Sequence, residues 1–153
     1  MLNSKLKKMI ETARTINEMQ IRDEQFVSPK AFAFVDDKVI VTVIPEVKGV
    51  NVNDIANSFF RQIRAKIAVL TAEAWFVEPT PEDETTSPSE HPDRIEAVIT
   101  IGGYDGHVEM HIDRMIRENN MVYLRPYHVP DADGGIAYTR CFEGVFDQHI
   151  GHA

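Results

Sequence analysis

The spacing of apolar residues changes several times along this chain, and each change predicts an element. Over residues 4–21, Leu6, Met9, Ile10, Ala13 and Ile16 recur at intervals of three and four, with Lys7, Lys8, Glu11 and Glu18 pointing elsewhere. This is the stripe of an amphipathic helix, and Ser4 stands where an N-cap belongs. Residues 31–44 read as a hairpin, with Phe32, Phe34, Val39, Val41 and Val43 as β-favouring types and Asp36 and Asp37 in the turn. Its second half holds a single polar residue, Thr42, which predicts a strand covered on both faces. A second helix is expected from an Asn53 cap to about Leu70, on a stripe of Ile55, Phe59, Ile63, Ile67 and Leu70.

Strands follow at 72–78 and 94–101, separated by a loop rich in Pro, Thr, Ser and acids. Asp105 and Gly106 suit a type I′ hairpin turn. With those two residues in the turn, Tyr104 faces His107, Ile101 faces Met110 and Ile99 faces Ile112, so pattern and turn agree. Asn119 and Asn120 mark another turn before a strand at 121–127, and 136–146 is either a last strand or a docked segment. The sum is a two-layer α+β domain over 1–153. It has an antiparallel sheet of about five to seven strands, two amphipathic helices on one face, a long loop at 79–92 and a mobile tail at 147–153.

Composition narrows the function classes. With 153 residues, 43% of them hydrophobic, the chain can build a core of ordinary size. No apolar run approaches the ~20 residues that cross a bilayer, and no signal peptide is expected. Cys141 is the only cysteine, which excludes a disulfide framework and fits a cytoplasmic setting. A formal charge of −8 disfavours general nucleic-acid binding.

Three groups of residues invite a chemical reading. His107, Glu109, His111 and Asp113 alternate along one strand and share a face. All are metal-ligating types, but residues four apart on a strand lie ~13 Å apart, too far for His107 and His111 to close on one ion. A solvated or subunit-facing sheet surface outweighs a metal site, and no metal is expected. Glu90, His91, Asp93 and Arg94 form the second group, where His91 beside carboxylates has the makings of a general base. No nucleophile is placed for it, and Pro88 and Pro92 point to loop architecture instead. Cys141 beside Arg140 is the third, read as a small buried hydrophobe rather than a nucleophile. Phosphate loops, zinc helices, paired cysteines and nucleophile elbows are absent from the sequence. No catalytic residue and no cofactor is therefore expected.

Glu73, Ala74 and Trp75, followed by Pro88 to Arg94 and Glu96, resemble an uncharacterised group of small bacterial and phage-associated proteins. In that group a helix leads into a Glu-Ala-Trp strand and a Ser-Glu-His-Pro-Asp-Arg turn. The resemblance covers about a third of the chain. It implies a bacterial or phage-like origin and no particular activity.

The expectation is a non-enzymatic module that binds a protein partner or a second copy of itself. Its surface would comprise Trp75, Glu90, His91, Asp93 and Arg94 with His107, Glu109, His111 and Asp113. The alternatives are a metal-assisted hydrolase on the 107–113 strand and a small-ligand module beneath the 79–92 loop.

Overall fold

A computed structural model describes residues 1–76, 94–127, 142 and 144–146. Helix α1 spans Leu2–Glu24. Strands β1 (Lys30–Val35) and β2 (Lys38–Val43) form the first hairpin, helix α2 spans Val52–Ile63, and four strands follow. These are β3 (Ile67–Phe76), β4 (Ile95–Tyr104), β5 (His107–Glu118) and β6 (Met121–Tyr127). They join in one six-stranded sheet of order β2-β1-β3-β4-β5-β6. Every neighbouring pair is antiparallel. The α+β class and the antiparallel sheet match expectation.

The helices lie on opposite faces of the sheet, not on one. Leu6, Met9, Ile10 and Ala13 of α1 pack on Phe32, Ile67 and Val69. Ala56 and Phe60 of α2 pack on Ala31, Ala33, Ala68 and Leu70, which alternate with those residues along β1 and β3. Central strands with no polar face need cover on both sides. On the α2 side, Ala31, Ala33 and Ala68 make room for the Phe60 ring. Phe142, Val145 and Phe146 close this side, with Phe142 meeting Phe60 edge-on at 5.7 Å.

Two boundaries differ from the periodicity. Helix α2 stops at Ile63 because Arg64 adopts a left-handed conformation (φ 57°), so Ile67–Leu70 begins β3 instead of prolonging the helix. Short apolar runs fit either period, and pairing with β1 decides this one. The cap of α2 is Asn51, whose side chain accepts from the Asn53 amide, rather than Asn53 itself. At α1, Ser4 lies inside the helix and donates to the Met1 carbonyl.

The β4–β5 register is the expected one, with Ile99 opposite Ile112, Ile101 opposite Met110 and Tyr104 opposite His107. Its turn, however, has positive φ only at Gly106 (81°), not at both central residues as type I′ requires. The paired positive angles occur instead at Asp36 and Asp37 and at Asn119 and Asn120. Strand β2 is not covered on both faces. It forms a sheet edge, and Val39, Ile40, Val41 and Val43 are exposed. Among the described residues no helix is long and apolar enough to cross a membrane.

Candidate functional site

Strand β5 sorts its four candidates into two roles. His107 Nε2 lies 2.8 Å from Glu109 Oε2, and His111 Nε2 lies 3.1 Å from Glu109 Oε1. The backbone spacing keeps the two histidines apart, but their side chains lean inward to one carboxylate. Burial pushes the Glu109 carboxyl up, and hydrogen bonds from His107 and His111 together outweigh it, holding the group below its ordinary value. Tyr104, opposite His107 in the register, stacks on its ring at 5.0 Å. Thr100, opposite His111, is buried and bonded to Thr71, so it offers this cluster no hydroxyl.

Asp113 does not join the cluster. It is buried under α1, where Arg14 grips it with Nε at 2.9 Å and Nη2 at 2.6 Å. Its role is to fasten the helix to the sheet. Among the described residues, no group of three or more His, Cys, Asp or Glu is arranged to hold a metal ion.

The second assembly sits at the far end of β3 and β4. Trp75 is 41% exposed, and the Arg94 guanidinium carbon lies 4.6 Å from the centre of its ring. Trp75 pairs across the sheet with Glu96. Arg117 of β5 reaches Glu96 with Nε at 2.8 Å and Nη2 at 3.1 Å. Those hydrogen bonds, against a smaller effect of burial, hold the Glu96 carboxyl below its ordinary value. A hollow of about 430 Å³ is lined by Trp75, Arg94, Ile95, Glu96, Arg114, Met115 and Arg117. A neighbouring one of about 240 Å³ shares Trp75, Glu96 and Met115 and adds Glu73. Among the described residues, no hydroxyl, thiol or imidazole lines either hollow.

The structure thus brings two sets of the sequence candidates into contact, Trp75 with Arg94 and Glu109 with His107 and His111. Glu90, His91 and Asp93 lie outside the described residues, as do the rest of 77–93 and Cys141. Met115 and Arg117 are not singled out by the sequence, and Glu96 enters there only through the resemblance. Glu96 was within reach of periodicity as well, since Arg94 and Glu96 alternate on a strand. Arg117 and Met115 arrive only through the β4–β5 pairing, which extends far beyond the turn that signals it.

A buried polar seam was also missed. Asn17 of α1 donates to Thr71 Oγ1 at 2.8 Å, and Thr71 shares a hydrogen bond with Thr100. Lys30 Nζ donates to Asn17 Oδ1, Gln20 Oε1 and the Ser28 carbonyl. Burial pushes the Lys30 ammonium down, and the nearby charge of Glu24 partly opposes this. An ammonium has three donors, and here each has an acceptor, so Lys30 is a structural group rather than an available nucleophile.

Comparison of the chain with family models, curated proteins and solved structures gave no match.

Proposed function

We propose that this protein is a non-enzymatic module that binds a protein partner, and that the end of the sheet holding Trp75 and Arg94 is the surface it uses. One observation carries the reading: a large aromatic ring left open to solvent and held in place by a stacked guanidinium. Tryptophan and arginine dominate the energetics of protein interfaces, and methionine is enriched there. Here Met115 lies beside the ring, and the bidentate Arg117–Glu96 pair stiffens the floor. Arg94 and Arg114 give the hollow a cationic rim, which favours an acidic segment with an aromatic or aliphatic anchor. The Glu73-Ala74-Trp75 resemblance includes the same ring.

Trp75 is the only tryptophan, so its fluorescence reports directly on the surface. An array of acidic peptides with a single apolar anchor should contain binders that shift this emission. Trp75→Ala and Arg94→Ala should each weaken those binders, measured by calorimetry, by about tenfold or more, or ~1.4 kcal/mol. Binders indifferent to both substitutions would remove this surface from the proposal.

A further inference from the structure

The two edges of the sheet are not alike. Strand β6 carries Arg125 and Pro126, residues that discourage pairing with another chain. Strand β2 has the sequence Lys-Val-Ile-Val-Thr-Val, contains no acid or proline, and leaves Val41 50% and Val43 61% exposed. Natural edges of this kind are usually blunted or occupied.

The β1–β2 pairing fixes which β2 amides have no partner among the described residues. The Ile44 amide donates inward to the Pro29 carbonyl, and the hairpin closes on Val35 opposite Lys38. Antiparallel strands alternate, so Lys38, Ile40 and Thr42 direct their backbone groups to β1. Val39, Val41 and Val43 direct theirs away from the sheet. Pro45 would be next in that outward series and has no N–H to offer. At the other end the series runs into the Asp36–Asp37 turn.

We infer that β2 pairs antiparallel with β2 of a second copy of this chain, about a two-fold axis at Val41. In this register Val41 faces Val41, and Val39 faces Val43 of the second copy. Every outward N–H then meets an outward carbonyl. A shift of one step in one direction sets Val39 against Pro45, and in the other sets Val43 against Asp37, so the register is unique. The pairing also joins the exposed valine stripes, and β-branched residues pair well across strands. At each end Lys38 comes opposite Ile44 of the other copy, just beyond the end of β2 at Val43. A single strand pairing is smaller than the ~1,200–2,000 Å² of a stable complex, so the dimer is reversible and depends on concentration. The inference rests on β2 alone and is independent of the Trp75 surface.

Sedimentation velocity of the full chain over a wide concentration range tests it. The wild type should pass from monomer to dimer. Val41→Pro removes an N–H that β1 does not use, so it should keep the fold while weakening dimerisation at least tenfold. Val41→Lys, which sets two like charges face to face, is the second variant should the proline disturb the hairpin. With Cys141→Ser, Val41→Cys should yield a disulfide-linked dimer under mild oxidation, and Trp75→Ala should leave dimerisation unchanged. A chain that stays monomeric throughout overturns the inference, including one that instead accepts an unrelated strand-forming peptide. So does a dimer that survives both Val41→Pro and Val41→Lys.

Discussion

Arg14 and Asp113 should be unequal partners, and the inequality is measurable. The Asp113 side chain is 5% exposed and that of Arg14 is 29%. Arg14→Ala leaves a carboxylate under α1 without its cation, in a place water barely reaches. Stranding one member of a buried pair in this way costs ~3–5 kcal/mol. Asp113→Ala leaves a guanidinium that can turn part of its surface to solvent, so the loss should be nearer ~1–2 kcal/mol. The gap of ~2 kcal/mol is large against the 5–15 kcal/mol that usually holds a domain together. Replacing both residues, as Arg14→Met with Asp113→Leu, should bring stability back close to wild type, because no charge is then left buried alone. Urea unfolding with unchanged m values is the assay. Equal losses, or a larger one for Asp113→Ala, would refute the account of Asp113 as a carboxylate that depends on Arg14.

Other outcomes follow from the same contacts. At Gly102 an added Cβ would meet Leu6 Cδ1 at 2.7 Å, a flexible tip, whereas at Gly103 it would meet the His107 carbonyl oxygen at 2.5 Å, which is backbone. Gly102→Ala should therefore cost ~1 kcal/mol and Gly103→Ala ~3 kcal/mol by chemical denaturation, and the reverse order would contradict the packing. The folded-state value of Glu109 lies below its unfolded one. Its contribution is thus full above the unfolded glutamate value of about 4.3 and is lost as pH falls through the folded value. Glu109→Gln should be less stable than wild type at pH 7 and converge with it in acid, and a gap independent of pH would count against the His107–Glu109–His111 cluster. Phe142→Ala should cost ~3–5 kcal/mol in thermal unfolding, because its ring is buried against Phe60 and Phe146. A shift of under a degree would mean that Phe142 is not docked there.

Much of the fold was legible in the sequence because it is locally encoded. Helix α1 follows from its stripe, the Asp36–Asp37 and Asn119–Asn120 turns from residues that tolerate positive φ, and the β4–β5 register from alternation around Asp105 and Gly106. Each of these depends on neighbours within a few residues. Tertiary pairing decided the rest. Ile67–Leu70 is a strand because β1 lies beside it, and β2 is an edge because α2 carries the chain back to the other side of β1. Its valines looked like those of a central strand, since composition records what a strand would bury and not whether a neighbour arrives. The candidate site divides in the same way. Trp75 and Arg94 could be singled out from the sequence, but the arginine's seat on the ring could not. Asp113 reads from the sequence as part of a solvated or partner-facing sheet surface, and only the fold places Arg14, ninety-nine residues away in sequence, on it. Periodicity determined which face of an element each side chain shares, whereas only the folded sheet determined what lies opposite that face, because that partner is set by packing between segments remote in sequence.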